Sequence, residues 1–206
     1  MKEKIAVIVA HIDDAEIWAG GTLLKYVGKA VIKIFVLRCN DEARKKEASK
    51  SAAILKGEYC YLENDTLLYQ TVAAFRPTII ITHCEFDSHP EHAEVFKMVH
   101  GVIPYFQIFE HIVPNVYCME TYNKICMPPY SIFQPNIYID ISSVWKEKMK
   151  LIEIFSSQPV SYWQNMVEGQ NKMTGTQVGV SYAESFIQIP VMGVLRCCDA
   201  YLKGND

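Results

Sequence analysis

Short apolar runs alternate with helix-like segments along the first half of the chain. The runs at residues 5–9, 30–37, 59–62 and 78–82 are bounded by polar residues and rich in β-branched or aromatic ones, which is typical of buried strands of a parallel sheet. Between them the pattern predicts helices over residues 16–27, 41–56 and 65–76, with Asn40 or Asp41 and Asn64 or Asp65 as caps. A fourth helix is predicted to begin at Pro90.

The second half of the chain has a weaker pattern. Strands are predicted at residues 116–119 and 137–141, separated by a turn-rich aromatic stretch at 127–135, and helices over 143–155 and 159–172. Residues 179–186 show no clear period. Because successive strand–helix units require right-handed crossovers, the first and fourth strands should be neighbours. We therefore predict one domain over residues 1–206, a three-layer α/β, Rossmann-like fold with a mainly parallel sheet of order 3-2-1-4-5.

The composition fits an ordinary globular domain. Half of the 206 residues are hydrophobic and the net charge is −3, which gives no reason to expect nucleic acid as a partner. No window approaches the roughly 20 apolar residues of a membrane span, and the apolar run at 5–9 is too short for a secretory signal. The seven cysteines form no Cys-x-x-Cys pair, which predicts reduced thiols in a cytoplasmic protein.

Two clusters of imidazoles and carboxylates each follow a predicted strand. Residues 10–16 read Ala-His-Ile-Asp-Asp-Ala-Glu after the first strand, and residues 87–92 read Asp-Ser-His-Pro-Glu-His after the fourth. In open α/β sheets, ligands bind beyond the carboxyl ends of the strands, where the strand order reverses. If the first and fourth strands are neighbours, the two clusters form one site.

These residue types suit a catalytic metal. A catalytic zinc takes three protein ligands and keeps one position open, and His11, Asp14 and His92 would supply that set. The same set would also accept iron, cobalt or manganese. Asp13 and His89 would lie beside the open position, one to accept a proton and one to donate it. Each motif alone is explained as well by helix capping or a hydrogen-bonded histidine, but their conjunction favours a metal site.

The motifs resemble those of the LmbE/PIG-L family of zinc-dependent N-deacetylases. The similarity continues at Gly20-Gly21, Arg44-x-x-Glu47, Asp140-Ile141-Ser142, Ser157-Gln158 and the run at 182–186, and so spans nearly the whole chain in order. It implies hydrolysis of the N-acetyl group of an N-acetylglucosamine-type sugar conjugate by a metal-dependent amide hydrolase. It also implies zinc on His11, Asp14 and His92, Asp13 as general base, and His89 as oxyanion stabiliser or general acid.

The chain departs from the family pattern at two positions. Ile12 stands where the family usually has Pro or a small residue, and Glu91 stands where it has Asp. The family counterpart of Glu91 orients neighbouring site groups, so its longer side chain is expected to shift His89. A catalytically inactive relative that binds metal or sugar is therefore the main alternative to the hydrolase.

The resemblance also suggests substrate contacts, each with a structural alternative. Arg44 matches a family arginine that contacts substrate or product, or it pairs with Glu47 on an exposed helix face. Asp87 supports His89 or a sugar hydroxyl, or is a plain loop carboxylate. Tyr182 matches a family tyrosine that reaches the site, or it packs in the core.

The remaining candidates are assigned structural roles. Glu16 is interpreted as favourable helix electrostatics, His83 as structural, and the aromatic stretch at 130–133 as packing on the sheet rather than a sugar cleft. A nucleotide-binding Rossmann module is less well supported, because the chain lacks Gly-x-Gly-x-x-Gly and two aspartates would repel a pyrophosphate. Relatives in the family often assemble, so a homo-oligomer is expected.

Overall fold

The computed structural model describes residues 2–38, 40–62, 65–125 and 132–193, and these contain one seven-stranded sheet with helices on both faces. The strands are β1 (Glu3–Val9), β2 (Ala30–Val36), β3 (Glu58–Tyr61), β4 (Ile79–Thr82), β5 (Asn115–Met119), β6 (Ile137–Asp140) and β7 (Ala183–Ile189). The helices are α1 (Asp14–Tyr26), α2 (Glu42–Leu55), α3 (Leu68–Phe75), α4 (Pro90–Glu110), α5 (Trp145–Glu153) and α6 (Val160–Val178).

The strand order is β3-β2-β1-β4-β5-β7-β6, which confirms the predicted order 3-2-1-4-5 and extends it by two strands. β1 to β5 pair in parallel, whereas β7 is antiparallel to both β5 and β6. The sequence did not predict β7. Its first four residues are all buried although Glu184 and Ser185 are polar, so the usual alternation of apolar and polar positions is absent.

The alternation of side chains along β1 explains the three layers. Ile5, Val7 and Val9 pack on one face with α1, α2, α5 and α6, whereas Ala6 and Ile8 pack on the other with α3 and α4. Both faces are buried, as expected for a parallel strand covered by helices on each side.

Several boundaries differ from the predicted ones. α6 runs to Val178, six residues beyond the predicted end, and a 3-10 turn, Asp65–Leu67, precedes α3. Another 3-10 turn, Ser142–Val144, precedes α5. The predicted cap Asn64 and the aromatic Tyr130 lie outside the described residues, while Phe133 packs in the core against Phe96, as predicted.

Two chemical features of the described part bear on the sequence predictions. Cys60, Cys84 and Cys118 are free thiols. No described helix combines the length and the apolar character that crossing a bilayer requires.

The register of β1 against β4 positions the site. Ile8 lies opposite Thr82, so the two parallel strands end side by side at the same edge of the sheet. The segment at residues 10–14, which leads into α1, therefore adjoins the segment at residues 83–92, which leads into α4. The expected meeting of the two motifs is confirmed.

Candidate metal centre and its cavity

His11, Asp14 and His92 form a candidate metal-binding group at the ends of β1 and β4. His11 Nδ1 lies 3.2 Å from Asp14 Oδ2, and His92 Nε2 lies 3.3 Å from Asp14 Oδ1. The two ring nitrogens are 3.3 Å apart. A tetrahedral ion with bonds of about 2.0–2.1 Å needs ligand atoms about 3.3 Å from one another. The two histidine nitrogens have the separation that such an ion requires, and each of them has a different oxygen of Asp14 at about the same distance.

Asp87 holds His92 in this orientation. Its Oδ2 is 3.0 Å from His92 Nδ1 and accepts the Thr121 hydroxyl at 2.6 Å, and its Oδ1 accepts the His89 backbone N–H at 2.8 Å. A carboxylate on the outer nitrogen of a histidine leaves the other nitrogen for a metal. The Asp87 side chain is fully buried, and the suggested support of His89 is present through the His89 backbone N–H. The suggested contact with a sugar hydroxyl stays a prediction.

His83 packs against two of the three side chains of the candidate metal-binding group. Its ring stacks on that of His92 with centroids 3.7 Å apart, and its Nε2 accepts the backbone N–H of Ala10 at 3.0 Å. The same nitrogen is 3.2 Å from Asp14 Oδ2. His83 is fully buried and packs against His92 and Asp14, in line with the structural role predicted for it.

Glu91 contacts His11 rather than His89. Its Oε2 lies 2.7 Å from His11 Nε2, and its Oε1 is 3.9 Å from Nε of Arg38. The contact with His11 was not predicted from the sequence, and the expected shift of His89 stays a prediction. From the first turn of α4 the glutamate side chain reaches the outer nitrogen of His11 and leaves Nδ1 for a metal.

The electrostatics of the cluster favour positive charge between the ligands. Burial lowers the pKa of His92, but Asp14 and Asp87 outweigh it and raise this pKa to about 10. Burial likewise raises the pKa of Asp14, yet the neighbouring His92 and His83 hold it well below its usual range. A cation bound at the centre of the group would stabilise the negative charges of Asp14 and Asp87 as a protonated His92 does.

Asp13 is the carboxylate that the metal group does not use. It occupies the N-cap position of α1, but its side chain makes no capping hydrogen bond. It is 4% exposed, and Arg44 Nη1 lies 3.4 Å from its Oδ1. Burial and the charge of Asp14 raise the pKa of Asp13 to about 6, against the opposing effect of Arg44. A simple capping role for Asp13 is thereby excluded.

Arg44 points toward the site. Its Nε donates to Asp41 Oδ2 at 2.9 Å while Nη1 approaches Asp13. Glu47, the alternative partner, instead accepts hydrogen bonds from Ser156 and Ser157, including the Ser157 backbone N–H at 2.8 Å. The pairing of Arg44 with Glu47 is therefore wrong.

His89 faces the metal ligands from the N-cap position of α4. Its ring lies 4.6 Å from that of His92 and 4.9 Å from that of His11, between centroids. Its Nδ1 is buried and has no hydrogen-bond partner among the described residues. Burial and the neighbouring His92 lower the pKa of His89, which favours the neutral ring with one N–H to donate.

Glu16 is more deeply buried than its position in the first turn of α1 suggested. It is fully buried and accepts hydrogen bonds from the hydroxyls of Ser51 and Tyr59. Burial raises its pKa to about 7, although both hydroxyls oppose the shift. Glu16 therefore links α1 to α2 and β3, a role that helix electrostatics alone does not describe.

A cavity of about 210 Å³ opens beside the metal group. The residues that line it are His11, Asp13, Asp14, Ile17, Trp18, Arg44, His89, Tyr122, Gln158 and Trp163. Tyr182 is not among them: its ring stacks on Trp145 at 3.9 Å and its hydroxyl donates to Glu168 at 3.4 Å. The structure thus does not bring Tyr182 to the site.

Sequence reasoning missed three aromatic residues of this cavity. Trp18 follows Asp14 by four residues on α1, a spacing that places both side chains on one helix face and was readable from the sequence. Tyr122 adopts a left-handed backbone conformation with φ 42° three residues after the end of β5, and nothing in the local sequence indicates this. Trp163 reaches the cavity from α6, a placement that only the tertiary structure reveals.

Comparison with solved structures identifies the fold. N,N'-diacetylchitobiose deacetylase from Pyrococcus horikoshii, in complex with its inhibitor MPG, matches with a TM-score of 0.75 and 19% identity over 91% of this chain and 84% of its own. The conserved protein TT1542 from Thermus thermophilus matches with a TM-score of 0.74 and 20% identity over 96% and 98%. This chain shares their fold.

A further similar structure is the zinc-inhibited form of teicoplanin deacetylase Orf2. It matches with a TM-score of 0.63 and 14% identity over 89% of this chain and 97% of its own. No family model matches the chain. At these identities the similarity establishes the α/β architecture alone.

Proposed function

We propose that this chain is a zinc-dependent hydrolase that removes the N-acetyl group from an N-acetylglucosamine-type sugar conjugate. One observation carries the proposal. The two histidine nitrogens lie 3.3 Å apart, each has one carboxylate oxygen of Asp14 at 3.2–3.3 Å, and the carboxylate of Asp13, which is not part of this group, lines the same cavity. The site resembles that of the LmbE/PIG-L deacetylases at each of these positions.

In this mechanism His11, Asp14 and His92 hold the zinc ion, which when bound polarises a carbonyl group and acidifies water. Asp13 accepts a proton from the water that attacks the amide carbonyl carbon, while Arg44 orients its carboxylate. The neutral ring of His89 donates a hydrogen bond to the carbonyl oxygen as negative charge develops there. Asp13 passes the proton that it took from water to the nitrogen as the C–N bond breaks, which releases acetate and a free amine. The partnerless Nδ1 of His89 and the position of its ring against His11 and His92 suit the role of hydrogen-bond donor.

The substrate class draws support from the structural neighbours. The Pyrococcus horikoshii enzyme is a deacetylase of diacetylchitobiose, and the Orf2 enzyme is a deacetylase of teicoplanin. The zinc-inhibited form of the latter shows that zinc interacts with a protein of this fold. Because the identities are low, these neighbours support the proposal only together with the residues of the site.

The two alternatives are less well supported by the geometry. The reason to suspect an inactive relative was Glu91 and Ile12, yet Glu91 contacts His11 with the ligand atoms in place, and Ile12 is buried in the core. For the nucleotide-binding module, the carboxylates of Asp13 and Asp14 line the cavity and would repel a pyrophosphate.

The test is release of free amine from a panel of N-acetylglucosamine conjugates by zinc-loaded and chelator-treated protein. We expect release that requires metal and returns when zinc is restored. Amine release that persists after the chelator has removed all metal would contradict the proposal. So would metal binding without turnover of any conjugate, which would favour the inactive relative.

A further inference from the structure

Two free cysteines, Cys84 and Cys118, lie together at the ends of neighbouring strands, and we call them the buried thiol pair. Cys118 in β5 is paired with Thr82, the last residue of β4, and Cys84 follows Thr82 by two residues. Because side chains two residues apart in an extended chain point to the same face of a sheet, this register brings the two thiols to one face. There they share a cluster of buried side chains with Phe96 of α4 and with Phe133.

The two sulfurs of the buried thiol pair are hydrogen-bonded to each other and differ in acidity. The sulfur of Cys84 accepts the S–H of Cys118 and also the backbone N–H groups of Glu85 and Phe86. The hydrogen bond from Cys118, with the backbone ones, lowers the pKa of Cys84 to about 7, although burial and the charge of Asp87 oppose this shift. The same hydrogen bond, with burial, raises the pKa of Cys118 well above its usual range. The thiolate is the nucleophilic form of cysteine, so the pair holds one nucleophile against one protonated thiol.

A short turn connects the buried thiol pair to the metal group. The backbone N–H of Asp87 donates to the carbonyl oxygen of Cys84 at 3.2 Å. The carboxylate of Asp87 lies against His92, and it accepts the hydroxyl of Thr121, which follows Cys118 by three residues. Both thiols therefore adjoin the two segments that hold the Asp87 carboxylate in place.

We propose that the buried thiol pair is a site of reversible oxidation, at which a peroxide joins the two sulfurs in a disulfide bond and thereby lowers the affinity of the metal group for its ion. A disulfide bond is about 2.0 Å long, so oxidation draws the two sulfurs closer than a hydrogen bond between thiols does. The turn that carries Asp87 moves with Cys84, which weakens the contact of Asp87 with His92. Loss of such a contact to a ligating histidine typically lowers metal affinity about 10- to 100-fold.

The oxidation consumes one peroxide molecule in two steps. The thiolate sulfur of Cys84 attacks one oxygen of hydrogen peroxide, the O–O bond breaks, and hydroxide leaves, so that Cys84 becomes a sulfenic acid. The sulfur of Cys118 then attacks the sulfur of Cys84, the S–O bond breaks, and the departing hydroxide takes the proton of Cys118. The two thiols lose two electrons, and the peroxide is reduced to two molecules of water.

The burial of the pair selects a small oxidant. Cys84 is 9% exposed and Cys118 is 2% exposed. Hydrogen peroxide is small enough to reach Cys84 through this narrow access, whereas a bulky disulfide such as oxidised glutathione is excluded. Cys60 is more exposed, but burial raises its pKa, so it is the less reactive thiol and serves as the reference.

The test maps the disulfide bond in the whole chain. The protein is treated with a small excess of hydrogen peroxide, the remaining thiols are blocked, and the chain is digested after glutamate for mass spectrometry. This digestion places Cys84 in the peptide 64–85 and Cys118 in the peptide 111–120, each without a second cysteine. We expect these two peptides to be linked and the link to be lost on treatment with dithiothreitol. Oxidised glutathione should produce no link.

Two variants connect the disulfide bond to the metal group. Cys118→Ser removes the second thiol but keeps a hydrogen-bond donor to Cys84, so peroxide should neither link the peptides nor change metal affinity. Cys60→Ser is the matched control and should form the same disulfide bond as the wild type. Competition for zinc with a chromophoric chelator measures affinity before and after oxidation, and we expect a loss of about 10-fold or more in the wild type and in Cys60→Ser.

Oxidation of Cys84 to a sulfinic acid while Cys118 stays unmodified would overturn the inference, as would a link from Cys84 to another cysteine. A mapped disulfide bond that leaves metal affinity unchanged would also overturn it, and so would an equal loss of affinity in Cys118→Ser after peroxide treatment. None of these measurements needs a substrate. Absence of amine release from every conjugate by the reduced, zinc-loaded protein would overturn the proposed function and leave this inference standing.

Discussion

The chain contains two clusters of buried charged residues that differ in one respect. The first is the metal group with Asp13 and His89. The second, which we call the buried polar cluster, lies between α1, α5, α6 and β7 and consists of Glu120, Lys148, Asn171 and Glu184. Lys148 Nζ donates to Glu184 and to Asn171, both at 2.7 Å, and Glu184 also accepts the backbone N–H groups of Gly21 and Thr22 at 2.8 and 2.7 Å.

The difference is in how completely hydrogen bonds are satisfied. None of the four side chains of the buried polar cluster has a buried atom without a partner among the described residues, whereas His89 in the first cluster has a partnerless Nδ1. Both clusters are charged and removed from water. Charge density therefore does not distinguish the two clusters, whereas a partnerless buried nitrogen at the edge of a cavity does. Substitutions in the two clusters should accordingly affect different quantities.

The largest effect is expected for Asp13→Asn, which should lower the rate of deacetylation by about 10²- to 10⁴-fold because the amide cannot accept the proton of the attacking water. Since Asp13 makes no capping hydrogen bond and is not one of the metal group, zinc content and thermal stability should stay unchanged. The measurements are steady-state kinetics, metal analysis and a thermal melt.

Asp41→Asn is the matched control. Asp41 contacts Arg44 as Asp13 does, but it caps α2 away from the metal group, and asparagine preserves the cap. Its activity should remain close to that of the wild type. Equal losses in the two variants would show that Arg44 positioning, and not proton transfer, explains the effect of Asp13.

Lys148→Met should destabilise the fold by about 3–5 kcal/mol, because it leaves the buried Glu184 carboxylate without its cation. Equilibrium unfolding in urea measures this loss of free energy. Lys146→Met, on the exposed side of the same helix, is the control and should change stability little. Metal affinity of the folded Lys148→Met protein should be normal, and a reduced affinity would contradict the separation of the two clusters.

Gly21→Ala should cost about 1–3 kcal/mol, because the added Cβ would lie 2.8 Å from Cγ2 of Ile141. Gly20→Ala is a control one residue away, where the nearest atoms would be at 3.7 Å, and replacing a helical glycine there should stabilise the protein by up to about 1 kcal/mol. Equal changes in the free energy of unfolding would show that the close contact at Gly21 relaxes without cost.

Much of the fold was predictable from sequence because the parallel strands have a strong local signal. β1, β2 and β4 are largely apolar, and right-handed crossovers then determine their order. β7 escaped prediction because Glu184 and Ser185 are buried in it through partners far away in sequence, such as Lys148 and Gly21. A polar residue in a buried strand has no local signature, since its partner is supplied only by the folded chain.

The same distinction holds within the site. His11, Asp14 and His92 were predictable because their loops follow two strands that must be neighbours. Trp163 and Tyr122 were not, since one depends on the placement of α6 and the other on a strained turn. Asp87 was predicted to belong to the site because it is close in sequence to His89. Its contact with His92 was not predicted, since it depends on the fold of the chain.

Glu91 is one of the two positions at which the chain departs from the family pattern, and substituting it should change metal affinity. Glu91→Gln retains the shape of the side chain but removes the negative charge from the outer nitrogen of His11, and such a change typically lowers metal affinity by about 10- to 100-fold. The Glu91 side chain is 42% exposed, so water replaces part of the interaction and we expect a loss of metal affinity of about 10-fold.

Glu94→Gln is the control, because Glu94 also pairs with Arg38, at 3.2 Å, but does not contact His11. Competition for zinc with a chromophoric chelator measures both variants. A loss confined to Glu91→Gln would show that the glutamate supports the metal ligand, whereas equal losses would place the effect in Arg38 instead.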